Sequence, residues 1–336
     1  MKINCYAAMA EKQPLEKFQY ESKELGDLDV EVSITHCGIC YSDVHMIDND
    51  LGMAVYPFVP GHEIVGIISG SGSKVTTLKK GDRVGIGWQG KSCNTCEWCI
   101  KGEENLCPEV FQSGTWGNPH GGFAESIIID SRFAFSIPKN LASEDVGPLM
   151  CGGITVDAPL INHNVKPSMK IGVIGIGGLG HLALQFARAF GCEVTAFSSS
   201  PAKEKEARSF GAHHFINSKD TDQILAVARS LDMILCTIHG NLDWNTYLAA
   251  LRPNGKLCFV GVPSDLISIQ PPSLIFGQLS VCGSLIGGRS AIREMLEFAA
   301  RHDIKARTEI MPMSDVNLAI AKLKDNKARY RMVLKN

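Results

Sequence analysis

The stretch KIGVIGIGGLGHLALQFARAFGCEVTAF, residues 170–197, decides the fold. KIGVI reads as a strand, GHLALQFARAF as an amphipathic helix stopped by Gly191, and EVTAF as the next strand. Between the first strand and the helix stand Gly175, Ile176, Gly177, Gly178, Leu179 and Gly180. A lone glycine pattern is weak, but one that follows a strand and opens a helix is strong. Glycine is needed where backbone turns tightly and lies against a pyrophosphate, whose charge faces the helix N-terminus. These six residues are therefore expected to bind a dinucleotide, with a ligand-free tight turn as the alternative.

About twenty residues past the first glycine, an NAD site places a carboxylate on the ribose hydroxyls. This chain has Ser198, Ser199 and Ser200 there, then Lys203. With no carboxylate at the strand end, a 2′-phosphate is not repelled, and three hydroxyls with an ammonium can hold it. The expected cofactor is NADPH/NADP+. The alternative makes Ser200 only the cap of a helix begun by Pro201, with Glu204 offsetting Lys203.

Working outward, QILAVARS and NTYLAALR read as helices and DMILCTI and KLCFVG as buried parallel strands, which extends the unit into a doubly wound α/β sheet with right-handed crossovers. Upstream, DVEVSITHCG, EIVGIISGSG and GDRVGIGW are short strands of a compact β-rich domain. After Gly283 come a helix AIREMLEFAARH, a strand EIMPM, a helix VNLAIAKLK and a closing strand YRMVL that can return to the first domain. The expected boundaries are 1–150 with 300–336 for the β-rich domain and 151–299 for the α/β domain.

A chain of 336 residues suits two domains of about 150 residues each. It is 45% hydrophobic and 20% charged with a formal net charge of −2, and no long basic run points to nucleic acid or a polybasic membrane anchor. Glu11, Lys12, Glu16 and Lys17 stand where a secretory signal needs apolar residues, and the most apolar segment is broken by glycines, His181, Gln185 and Arg188. A cytoplasmic location is expected. There, thiols ligate metal or sit buried, and Cys5, Cys37, Cys192, Cys236, Cys258 and Cys282 read as small core residues.

Cys93, Cys96, Cys99 and Cys107 pack four thiols into a short lobe within about residues 88–110. Short tethers and polar turns suit a closed tetrahedral zinc site; paired disulfides or an iron–sulfur cluster are the rivals. Elsewhere Cys40, His62 and Cys151 supply two thiolates and an imidazole, the donor set of a catalytic zinc with an open position. Asp43 can fix the tautomer of His62, and Glu63 is expected beside the metal or exchanging with water. A Cys37–Cys40 redox pair is the competing reading.

GICYSD with GHE, the four-cysteine lobe, LMCGGIT and GIGGLG stand in the order found in the zinc-dependent medium-chain alcohol dehydrogenases, and NDLGMAVYPFVPGHEIVG and KARYRMVL resemble their cinnamyl-alcohol-dehydrogenase-like branch, which includes NADPH aldehyde reductases. The resemblance spans nearly the whole chain. It implies a GroES-like catalytic domain, a Rossmann domain, two zinc ions and a homodimer. It also implies that Ser42 and His45 relay a proton, and that Thr155, Gly261, Val262, Ser284 and Leu285 line the nicotinamide. Tyr41 and Asp157 depart from the pattern, where relatives often carry His or Arg and a bulky aromatic respectively.

The chemistry that follows is hydride transfer between NADPH and an aldehyde polarised by zinc. A polyol or secondary-alcohol dehydrogenase, or a silent NADPH-binding protein, is the alternative. A zinc-bearing nucleic-acid binder lacks a basic patch and leaves the glycine loop unexplained. His45 as an ordinary surface residue is the alternative to the relay. Trp88, Trp116, Met53, Phe276 and Ile286 are candidates for an apolar substrate wall.

Overall fold

A computed structural model describes residues 1–50, 52–112, 120–263 and 265–336. Two compact units emerge, Met1–Ile154 with Gly287–Asn336, and Thr155–Ile286.

The second unit holds a six-stranded parallel sheet. Its order is His214–Asn217, Glu193–Ser198, Lys170–Ile174, Leu231–Cys236, Leu251–Phe259 and Ser280–Gly283. Numbered along the chain this is 3-2-1-4-5-6, the doubly wound order whose reversal lies beside the first strand. Ile171, Val173, Val194, Phe197, Ile234 and Leu257 are fully buried, as expected for strands covered on both faces. Each such side chain contributes about 1.5–3 kcal/mol by leaving water. Helix Gly180–Ala189 buries Leu182, Ala183, Leu184, Phe186 and Ala187, and Gly191, at φ +87, takes the left-handed position that ends it. QILAVARS gives only a short helix, Thr221–Leu225. The chain then turns, with Arg229 in the left-handed region, to enter strand Leu231–Cys236.

In the first unit, strand Asp29–Ile39 is central. It pairs antiparallel with Ile64–Ser71, with Ser126–Asp130 and with the closing strand Arg331–Lys335. Val30, Val32, Ile34, Phe123, Phe133, Met332 and Leu334 share its core. Helix Arg289–Arg301 belongs to this unit, although the sequence reading puts its residues in the α/β domain up to 299. The reason is packing: its apolar stripe Ile292, Met295, Leu296 and Ala299 is buried, and Arg289 pairs with Glu104 at 2.7 Å. No helix among the described residues is long and apolar enough to cross a membrane.

Candidate functional site

Three separate elements of the first unit bring Cys40, His62, Glu63 and Cys151 together, with one donor atom of each within 4.8 Å of the others. Cys40 caps helix Tyr41–Asp48. His62 follows Gly61, whose φ of +103 turns the chain into strand Ile64–Ser71. Cys151 sits in a wide helical turn, Leu149–Gly153, the kind of local widening that often re-aims a functional side chain. Gly38 leaves room for the Glu63 carboxylate, since a Cβ there would stand 2.0 Å from Oε2.

Asp43 organises this cluster from full burial. Its carboxylate accepts from the Cys40 amide at 2.8 Å, the Gly61 amide at 2.9 Å and His62 Nδ1 at 3.1 Å. With its Nδ1 donating, His62 presents a bare Nε2, which is buried and has no hydrogen-bond partner. The Cys40 and Cys151 sulfurs lie 3.9 Å apart. Tetrahedral zinc with bonds of about 2.3 Å sets sulfurs about 3.8 Å apart, so the spacing fits. The Cys151 thiol beside Cys40 draws its pKa well below the ordinary value, against burial and with help from His62 and Arg331. Burial resists protonation of His62, but Asp43 and Cys40 outweigh it and raise its pKa.

Arg331, on the closing strand and almost fully buried, donates to Glu63 Oε1, while Glu63 Oε2 is buried without a hydrogen-bond partner. A hydrogen bond to Cys40 and burial hold the Cys151 thiol well above its ordinary pKa, and burial pushes Glu63 up to about 7; a divalent cation would let both ionise and would take up the bare Nε2. Arg331 was not singled out from the sequence; its signal is a lone charge inside the apolar run YRMVL. Cys37 does not partner Cys40. Its buried sulfur packs against Gly61 and Gly122.

Ser42 and His45 lie one turn apart on helix Tyr41–Asp48. The Cys40 sulfur lies 3.6 Å from Ser42 Oγ, and His45 Nδ1 lies 2.8 Å from Asp50 Oδ2. Tyr41 meets His45 edge to face.

The four-cysteine lobe also gathers its donors within 4.8 Å. Cys93 Sγ lies 3.8 Å from Cys99 Sγ and 3.5 Å from Cys107 Sγ. Asn94 and Gly102, both in the left-handed region, make the turns between them. The Thr95 and Cys96 amides pull the Cys93 thiol down to about 6, whereas burial pushes Cys107 up to about 12.

In the second unit the glycine loop leaves the C-terminal end of strand Lys170–Ile174. Gly175 has φ +89, and a Cβ on Gly180 would stand 1.8 Å from the Gly175 carbonyl oxygen. Gly177 faces open space, with nothing within 4 Å of a Cβ placed there, which is the gap a pyrophosphate requires. Thr237, another residue the sequence reading missed, donates to the Ile174 and Gly175 carbonyls at 2.8 and 3.1 Å. Its signal is a hydroxyl at the end of the buried strand DMILCTI.

Ser198 ends the neighbouring strand with its hydroxyl accepting from the Ser200 amide, and Ser199 is exposed. Lys203 Nζ donates to the Ile176 carbonyl at 2.7 Å. Ser200 does precede Pro201, but its side chain makes no cap hydrogen bond, and Glu204 pairs with Arg208. Gly261 and Ser284 reach the same end of the sheet, their amides bonded to the Cys236 and Phe259 carbonyls. Thr155 is buried at the start of the unit, while Val262 and Leu285 are exposed. Of the proposed substrate wall, Trp88 and Ile286 are buried and Met53 is exposed. Phe276 lines a hollow of the second unit with Leu248, Pro253, Pro272 and Leu279, and Trp116 lies outside the described residues.

A β-rich unit with a buried Cys–His–Cys–Glu cluster and a second unit built on a dinucleotide-type sheet together define an oxidoreductase of the zinc alcohol dehydrogenase class. Residues 26–139 match the alcohol dehydrogenase GroES-like domain, and residues 178–301 match the zinc-binding dehydrogenase family. The chain is 42% identical over 332 residues to the aldehyde reductase AdhA of Synechocystis, covering 99% of this chain and 98% of that one. The fold superposes on a cinnamyl alcohol dehydrogenase from Sorghum bicolor with a TM-score of 0.95 at 37% identity, covering 100% and 98%. It also superposes on a CAD from Helicobacter pylori complexed with NADP(H), at TM-score 0.92 and 33% identity, again covering 100% and 98%. The chain belongs to the zinc-binding alcohol dehydrogenase family and is an alcohol/aldehyde oxidoreductase with a GroES-like domain and a Rossmann domain.

Proposed function

We propose that the chain is an NADPH-dependent aldehyde reductase of the cytoplasm, working as a homodimer with two zinc ions per chain. Cys40, His62 and Cys151 hold the reacting zinc, with Glu63 beside it, and Cys93, Cys96, Cys99 and Cys107 hold a closed structural one. The observation that carries this reading is the bare, buried Nε2 of His62 facing two close thiols. Zinc bound there supplies Lewis acidity toward a carbonyl oxygen, and NADPH supplies the hydride.

The chain's own groups do the rest. Asp43 fixes the His62 tautomer. Arg331 holds one oxygen of Glu63, so that only Oε2 is turned loose. The Ser42 hydroxyl gives a proton to the product oxygen, and His45, steadied by Asp50, replenishes it from solvent. Gly175, Ile176, Gly177, Gly178, Leu179 and Gly180 cradle the pyrophosphate. Ser198, Ser199, Ser200 and Lys203 receive the 2′-phosphate, a role supported by the absence of a carboxylate at that strand end and by the turning of Glu204 to Arg208. Thr155, Gly261, Val262, Ser284 and Leu285 flank the nicotinamide.

Metal analysis with a panel of aldehydes, polyols and secondary alcohols tests the reading, each substrate run with both cofactors. Two zinc ions in these sites and aldehyde-dependent oxidation of NADPH in preference to NADH are expected. NADH preference, or turnover of polyols alone, overturns it; light scattering checks the dimer.

A further inference from the structure

The second unit carries a third group of soft donors, which neither the glycine loop nor the two clusters of the first unit use. Cys258 and Cys282 are paired residues on the neighbouring parallel strands Leu251–Phe259 and Ser280–Gly283, so their side chains leave the sheet on the same face. His163, the first residue past helix Ile154–Asn162, brings its Nε2 to 3.4 Å from Cys282 Sγ. The two sulfurs and an imidazole nitrogen all lie within 4.8 Å of one another.

We propose that His163, Cys258 and Cys282 form a further metal site, which takes a soft d10 cation, zinc(II), and leaves its fourth position to solvent. Around tetrahedral zinc, bonds of about 2.3 Å to sulfur and 2.05 Å to nitrogen place the two donor types about 3.6 Å apart. The observed 3.4 Å between Cys282 and His163 needs little adjustment. Two thiolates and a neutral imidazole balance the charge of a divalent ion, so Lys256, which acts on His163 electrostatically, does not oppose it. Binding exchanges two thiol protons for the cation, with no change of oxidation state. Access is provided because His163 and Cys282 are half-buried while Cys258 is fully covered. Cys282 is thus half-buried, whereas Cys5, Cys192 and Cys258 keep to the core as the sequence suggests.

The test uses the full-length protein dialysed under reducing conditions against buffered Zn2+. Element analysis of the wild type is expected to give one zinc equivalent more than His163→Gln or Cys282→Ser, the two half-buried positions. In the wild type, Zn2+ is expected to slow alkylation of Cys282 by iodoacetamide at least tenfold relative to the chelator-treated protein, read by peptide mass spectrometry; this arm needs no variant to fold. Equal zinc counts in all three proteins, or unchanged alkylation, overturn the proposal. So does a Cys258–Cys282 disulfide that persists under the reductant. A parallel arm with Cu+ buffered by glutathione overturns the zinc assignment if copper protects Cys282 and zinc does not.

Discussion

Replacing Glu104 by alanine removes the carboxylate that ties the four-cysteine lobe to the first turn of helix Arg289–Arg301. Glu104 is 2% exposed. It accepts from the Arg289 amide at 3.0 Å, from Nε at 2.7 Å and from the guanidinium at 2.7 Å. Breaking a buried pair costs about 3–5 kcal/mol. Because the Arg289 side chain keeps 23% of its exposure, it partly rehydrates, and about 2–3 kcal/mol is expected. For a unit of this size that is a fall in Tm of about 5–10 °C. Burial alone would raise the Glu104 pKa, but the Arg289 amide and guanidinium hold it below the usual carboxylate range. A depressed native pKa contributes stability that is complete above the unfolded value of about 4.3 and is lost as pH falls through the native one. Urea titrations of wild type, Glu104→Ala, Arg289→Ala and the double variant, followed by tryptophan fluorescence at pH 7 and below pH 4, measure the coupling. A coupling under about 0.5 kcal/mol at pH 7, or a gap between wild type and Glu104→Ala that widens in acid, would refute this account.

Gly177→Ala should fold normally yet lose dinucleotide affinity, because its Cβ enters the open gap, whereas Gly180→Ala should destabilise the second unit through collision with the Gly175 carbonyl; calorimetry with cofactor titration separates the two. Asp43→Asn should weaken zinc retention about 10–100-fold against a chelator, since it disturbs three donors at once. Lys203→Ala should raise the Kd for NADPH about tenfold, roughly 1.4 kcal/mol, and that for NADH much less. His45→Gln should slow turnover and alter its pH profile with zinc content unchanged, and intact kinetics would remove it from the relay.

What could be read from the residues alone was whatever depends on local order. The glycine turn, the strand before it and the helix after it are contiguous, so period and spacing reveal them. The four-cysteine lobe is equally local. Cys40, His62 and Cys151 are distant in sequence, and their joint chemistry was legible only because the donor set is so restricted. The pairing of Glu63 with Arg331 spans 268 positions, and no periodicity links two charges that far apart. Likewise, nothing near Cys258 or Cys282 signals that neighbouring strands align them, because register is a property of the whole sheet. QILAVARS has helical spacing, but beyond Leu225 the Val227 and Ala228 amides bond three residues back, to Ile224 and Leu225, and the α-helix ends early.

The pairing of strand Arg331–Lys335 with Asp29–Ile39 also orders events during synthesis. A ribosome delivers the second of these strands roughly 300 residues after the first, a wait of about 15–60 s at ordinary elongation rates. Residues 155–286 are contiguous and can fold as soon as they emerge. The β-rich unit meanwhile keeps an unpaired strand edge and a Glu63 with no counter-charge. The part of strand Asp29–Ile39 that Arg331–Lys335 covers is exposed through that interval, and Glu63 meets Arg331 only once the closing strand has been made.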